Sequence, residues 1–180
     1  YEWVQALVCS VLTVVLIFTF VVRIVRVSGE SMRETLQDRD MLVVLNNWLC
    51  GGYEPGDIVI LQRDDFFGGE PIVKRVIATA GQTVDIDFDA GVVYVDGTAL
   101  EEPYTREPTW TQEGTEFPLT VPEGCIFVMG DNRNDSDDSR DSALGPVDTR
   151  CVLGRALVLA VPGPTAETQQ RDWSRAGILN

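Results

Sequence analysis

No histidine occurs anywhere in the 180 residues. That absence removes Ser-His-Asp and Cys-His hydrolysis, His-ligated zinc sites and histidine proton shuttles. Acid–base work falls to Asp, Glu, Lys, Tyr or Cys. Lysine is almost as scarce, with Lys74 the sole example. Basic charge in general is short: 14 Lys and Arg stand against 28 Asp and Glu, for a net charge of −14. Neutralising phosphates needs a basic face and none is visible, so nucleic acid is excluded as a partner. Beyond Val27, 12 basic and 27 acidic residues leave −15, which places the acidity in the globular part, where it serves solubility. The four cysteines, Cys9, Cys50, Cys125 and Cys151, have no CxxC spacing. Cys9 lies inside an apolar run as a small apolar residue. Spacing leaves open the disulfide status of Cys50 and whether Cys125 and Cys151 pair.

One long apolar run is present. From Trp3 to Val22 there is no charge, and twenty helical residues at about 1.5 Å each span about 30 Å, the thickness of a bilayer's hydrocarbon core. The apolar residues surround the helix instead of forming a stripe, which favours a transmembrane helix over a buried core helix. The run continues into Arg23, Ile24, Val25 and Arg26 and shows no small-residue cleavage site, so it reads as a retained anchor over residues 1–26. Arg23 and Arg26 follow the run, which by the positive-inside tendency puts the globular part in the cytoplasm. The sequence starts without methionine, however, and charges upstream would change that balance.

The length suits one anchor and one medium-sized domain. After residue 27 the pattern turns to short β-rich segments: Met41 to Leu45, Asp57 to Gln62, Ile72 to Ala80, Thr83 to Phe88, Val92 to Val95, Phe117 to Val121, Ile126 to Met129 and Arg155 to Val161. Gly, Pro and Asp punctuate them, as in Glu54-Pro55-Gly56-Asp57 and Asp96-Gly97, turn chemistry that joins antiparallel strands. The expectation is a mainly β protein: an antiparallel all-β domain over residues 27–162, sandwich or partly open barrel. Residues 97–122 form a peripheral excursion, and residues 163–180 a tail without a strong element. Phe66 and Phe67, beside Gly68-Gly69, suit either an interfacial contact near the anchor or the core.

Three segments carry chemistry. Ser31 sits in Gly29-Glu30-Ser31-Met32-Arg33-Glu34-Thr35-Leu36, where the apolar run ends; a serine there is by itself an ordinary cap or turn residue. Lys74 lies in the apolar run Pro71 to Ala78, and strict alternation sets it and Arg75 on opposite faces, so one of the two must meet packed surroundings. An edge charge or a structural salt bridge is the competing role. The third segment, Gly130-Asp131-Asn132-Arg133-Asn134-Asp135-Ser136-Asp137-Asp138-Ser139-Arg140, alternates carboxylates as calcium loops do, but lacks the glycine and glutamate of an EF-hand register. It reads as a structural platform.

Together, Ser31-Met32 with Thr35-Leu36, Lys74-Arg75-Val76, and Gly130-Asp131-Asn132-Arg133 with Ser136, Asp138, Ser139 and Arg140 resemble bacterial type I signal peptidase, most of all its smaller, single-anchor, Gram-positive form. The similarity runs from Trp3 to about Pro162. It implies a membrane-anchored serine endopeptidase that removes signal peptides from exported preproteins, with small residues before the cut, and needs no cofactor or metal. It implies Ser31 as nucleophile and neutral Lys74 as general base, Ser136 as the hydroxyl orienting the amine, and Asp138 with Arg140 as a supporting ion pair. Gly29 and Met32 flank the nucleophile. Some relatives carry a serine at the Gly29 position as a second oxyanion donor; here that donor is unassigned, while the Ser31 N–H is the first. Family members commonly have proline where this chain has Glu34, so a rigid turn element is lost. The resemblance also implies a single pass in the cytoplasmic membrane with the catalytic domain outside, against the literal reading of Arg23 and Arg26.

Independently of any resemblance, a serine hydroxyl needs a neighbouring base and this chain offers one lysine in an apolar setting. Desolvation depresses a buried lysine by up to about 3–5 units, enough to make it a base near neutral pH. Two other readings compete: a self-cleaving Ser/Lys protease of the SOS-repressor kind, opposed by the apolar run and the acidity, and a catalytically silent membrane-tethered β-domain that binds exported proteins.

Overall fold

The apolar run folds as helix α1 (Glu2–Leu16), which continues through one π turn, Ile17–Val21, and buries no residue against the protein. The structure, a computed structural model, describes residues 1–165 and 169–179. At Val22 the backbone turns extended, with φ −130° and ψ 155°, and β1 (Val22–Arg26) begins without a loop. These residues carry no turn signal and continue the apolar run, which hides the change of element in the sequence. The carbonyl of Phe20, one of the acceptors a helix end leaves open, receives the side-chain amide of Asn46 at 2.9 Å and the indole N–H of Trp48 at 2.8 Å.

The strands that follow are β2 (Met41–Asn46), β3 (Ile58–Leu61), β4 (Ile72–Thr79), β5 (Thr83–Asp87), β6 (Val92–Val95), β7 (Thr98–Ala99), β8 (Leu119–Thr120), β9 (Cys125–Met129), β10 (Val147–Asp148), β11 (Val152–Val161) and β12 (Gly177–Ile178). Each segment read as a strand contains one. Phe117 to Val121 shrinks to Leu119–Thr120, because Pro118 has no N–H to give a ladder. The unassigned strands β7, β10 and β12 have two residues each, too few to show a period.

The larger sheet runs β1-β2-β11-β3-β4-β9-β10, with β12 on β11; the smaller runs β7-β6-β5-β8. All pairings are antiparallel. The larger sheet does not close, β1 and β10 being its edges. Central β3 is buried at every position, as a strand covered on both faces must be. On one face, Leu42, Val44, Ile58, Ile60, Val73, Ala156 and Leu159 pack with Val27, Met32 and Leu36. Further along the sheet, Ile77, Ala78, Phe127 and Met129 meet Val84, Ile86, Val93 and Val95 of the smaller sheet. The segment that carries Ser31 therefore lies on the larger sheet, held by its own apolar residues.

Candidate active site

Met32 and Leu36 are four apart, both buried, and joined by a backbone hydrogen bond of 2.8 Å from Leu36 N–H to the Met32 carbonyl. Their burial turns Ser31 outward, into a cleft of about 530 Å³ lined by Gly29, Ser31, Met32, Lys74 and Ser136, with Val27, Ile72 and Val73 among its apolar walls. Gly29 adopts φ 94°, a conformation that side chains resist, and Glu34 faces solvent. Phe66 is buried in the core, whereas Phe67 is exposed and lines this cleft.

Lys74 comes from the first half of β4, opposite Val59 of β3. It is 3% exposed. Among the described residues no carboxylate stands within salt-bridge distance of it. Burial holds its amine below the ordinary lysine value, helped by Arg140 and opposed by the charges of Asp138, Asp137 and Glu113. Desolvation is the largest cause; Asp138 is already committed to Ser136, Gly130 and Arg140, and Asp137 is exposed to solvent. Arg75, which alternation sends to the other face, is buried too, at 2%. Its guanidinium makes a two-point pair with Asp131 at 2.9 and 2.8 Å, reaches the Gly56 carbonyl at 2.9 Å and lies 4.0 Å from the Tyr104 ring centroid.

The loop after β9 works as a platform. Asp138 Oδ2 accepts from Ser136 Oγ at 3.1 Å, from Gly130 N–H at 2.9 Å and from Arg140 Nη2 at 2.8 Å. Its Oδ1 accepts from Arg140 Nε at 2.9 Å and Arg140 N–H at 3.1 Å. Five donors occupy this buried carboxylate, which leaves it no part in proton transfer. Because Ser136 spends its proton on Asp138, its oxygen is left as an acceptor in the cleft that Lys74 also lines. The same loop grips the Ser31 segment: Asn132 N–H donates to the Ser31 carbonyl at 3.0 Å, and its side-chain amide donates to the Glu30 carbonyl at 3.2 Å. Thr35 Oγ1 donates to Asp131 at 2.5 Å. Among the described residues the Ser31 N–H has no protein acceptor.

Sequence reasoning assigned no role to the groups behind this platform. Arg133 forms a two-point pair with Glu102 and donates to the Gly130 carbonyl at 3.1 Å. Asn134 accepts from the N–H groups of Trp110 and Thr111, and Thr115 N–H bonds the Arg140 carbonyl. The stretch around residues 100–116 thus braces the loop from behind. No period marks it, because its bonds join single residues. Glu113, 3.8 Å from Arg140, has its carboxyl pushed up to about 7 by burial. All four cysteines are free thiols. Among the described residues no cluster of His, Cys, Asp and Glu suits a metal ion.

Residues 1–161 match the family described as "Signal peptidase, peptidase S26". A signal peptidase I of Bacillus licheniformis is 36% identical over 170 residues, covering 90% of this chain and 89% of that protein. Signal peptidase I S of Bacillus subtilis is 34% identical, with 89% of each covered. A crystal structure of a signal peptidase I from Enterococcus faecalis aligns with TM-score 0.46 and 35% identity over 58% of this chain and 96% of that one.

Proposed function

Since the chain belongs to the signal peptidase family, peptidase S26, we propose that Ser31 and Lys74 are the dyad with which it removes signal peptides from exported preproteins. It is a membrane-bound serine endopeptidase. The observation that carries the residue assignment is the cleft: Ser31, Ser136 and the chain's one lysine, 3% exposed, all line it. Neutral Lys74 takes the Ser31 proton as Oγ attacks the scissile carbonyl, and Ser136, accepting an N–H, turns the amine's lone pair toward the nucleophile. The oxyanion is met by the Ser31 N–H. Protonated Lys74 then returns its proton to the leaving amine, and water repeats the sequence on the acyl-enzyme. Asp138 and Arg140 hold the loop; Gly29 leaves room beside the nucleophile, and Met32 roots the turn. No step requires a metal or cofactor.

Residues 1–26 serve as a single-pass anchor whose last five residues already form β1 of the sheet, residues 27–162 as the catalytic domain with 97–122 as its excursion, and residues 163–180 as a tail. The catalytic domain stands on the outer face of the cytoplasmic membrane, where exported chains present their cleavage sites. Arg23 and Arg26 lie in an edge strand, where charge deters pairing with other chains, and this lessens their weight as topology signals. The test is cleavage of a signal-peptide-bearing preprotein by detergent-solubilised enzyme: wild type cuts before a defined residue and Ser31→Ala does not. Cleavage by Ser31→Ala at the wild-type rate would overturn the assignment. Protease added to intact spheroplasts should digest the β-domain; full protection would reverse the orientation.

A further inference from the structure

Residues 169–179 lie beyond the family match, which ends at residue 161, and the reaction described above gives them no task. They are nevertheless docked. β12 pairs with β11 through Val158↔Ile178 and Leu159↔Gly177. Leu179 N–H donates to the Leu157 carbonyl at 2.9 Å, and its side chain packs against the cluster that holds Met32 and Leu36. Arg175 reaches farthest in. Its Nη2 is 2.7 Å from Asp40 Oδ2 and 3.3 Å from the Thr35 carbonyl, and its Nη1 is 3.2 Å from Asp40 Oδ1.

These two acceptors belong to the loop that carries Ser31. The loop is pinched at its base, where Val27 N–H donates to the Asp40 carbonyl at 2.8 Å and Arg39 N–H to the Val27 carbonyl at 2.9 Å. Asp40 is fully buried. Its carboxylate also receives Gln37 N–H at 2.8 Å and Gly163 N–H at 2.6 Å. Asn132 and Asp131 secure the loop from the platform side, at Ser31 and Thr35. Among the described residues, the charged group that joins base and turn is Arg175.

We propose that Arg175 is a positioning residue for the nucleophile: its guanidinium clamps the Asp40 carboxylate to the Thr35 carbonyl, which makes the C-terminal segment a working part of the active site. The proposal rests on Ser31 being the nucleophile. A planar guanidinium suits the task because its fork serves two acceptors at once, which a lysine ammonium on a flexible stem does not. Small displacements of a nucleophile are costly, a shift of about 1 Å being worth roughly a hundredfold in rate.

The full-length enzyme in detergent, assayed on one signal-peptide substrate with thermal unfolding measured in parallel, provides the test. Arg175→Ala should lower kcat by about a hundredfold with KM changed by less than about twofold, since an interaction that orients the nucleophile acts on turnover. Its alkaline limb should stay in place, because the base is untouched. Arg175→Lys keeps a charge opposite Asp40 and should retain Tm while kcat still falls roughly tenfold. Added methylguanidinium should restore part of the Arg175→Ala turnover. Unchanged kcat in folded Arg175→Lys, a loss confined to Tm, or a rise in KM at constant kcat would each overturn the proposal. If Arg175→Ala does not fold, Arg175→Lys decides alone. Full activity of Ser31→Ala would instead defeat the functional reading and leave the Arg175 result to stand as a separate measurement.

Discussion

Ser31 and Asn132, a hundred and one positions apart, are joined backbone to backbone, the Asn132 N–H donating to the Ser31 carbonyl at 3.0 Å. The proposed nucleophile and the loop that carries Ser136 and Asp138 are therefore tied into one unit. Lys74 reaches that unit from β4, so the proposed attack brings a strand and a braced loop together.

Lys74→Met should abolish cleavage, by at least about 10⁴-fold, without lowering Tm. Among the described residues the buried amine has no ion-pair partner, so an unbranched apolar side chain of similar length removes a desolvation cost. Lys74→Arg should be equally inactive, because a guanidinium stays protonated. Initial rates and thermal melts on the same preparations check both.

Activity should rise with pH along a limb set by Lys74 and lying below the ordinary lysine value near 10.4, because burial disfavours the ammonium form. Native Lys74 binds its proton less tightly than the unfolded chain does. Stability should therefore also climb with pH between the native value and about 10.4, and Lys74→Met should erase that climb. Ser136→Ala should lose turnover by less than Lys74→Ala, since it disorders the amine without deleting it. A pH–rate profile that puts the wild-type limb near 10.4, or finds Ser136→Ala equal to wild type, would contradict this account.

Gly130→Ala should damage both folding and chemistry. A methyl group on Gly130 would stand 2.1 Å from Ser136 Oγ and 2.5 Å from the Ser31 carbonyl oxygen, where three parts of the site converge. Overpacking of this kind costs about 1–3 kcal/mol. Turnover should fall by about a hundredfold as the Ser31 backbone is pushed away. Denaturant melts and kcat measure the two losses separately.

Glu113→Gln should stabilise the enzyme above neutral pH. Burial raises the native carboxyl to about 7 from 4.5, so wild-type stability is fully present below 4.5 and declines as pH rises through 7, by at most about 1.4 kcal/mol per pH unit. The variant should lack this decline and match wild type near pH 4. Melting curves from pH 4 to 9 give the comparison; parallel curves would show that Glu113 does not titrate there.

The β-strands were legible where alternation or an unbroken apolar run lasted four or more residues, as in Thr83–Asp87 and Ile58–Leu61. The two-residue strands β7, β10 and β12 were not, since pairing rather than period defines them. The cleft was legible because its parts are chemically rare: one lysine, no histidine, and a loop of alternating carboxylates. Their burial partners were not. Alternation asked for one buried basic residue in β4, yet Lys74 and Arg75 are both buried, because the loop bearing Asp131 covers the face that Arg75 occupies. Glu102 and Arg175 gave no sign at all, as an arginine's partner is a matter of three-dimensional neighbourhood and not of spacing.

The bonds from Asn46 and Trp48 to the Phe20 carbonyl, with β1 starting one residue after the helix, leave no swivel between stalk and blade. On the anchoring proposed above, a tilt of the helix would tip the sheet with it, and the joint would act as a ruler that sets the height of the Ser31 cleft over the bilayer. Four glycines inserted between Val21 and Val22 should blur that ruler: cleavage of a soluble peptide should persist while the cut in a membrane-inserted preprotein slows or spreads to neighbouring bonds.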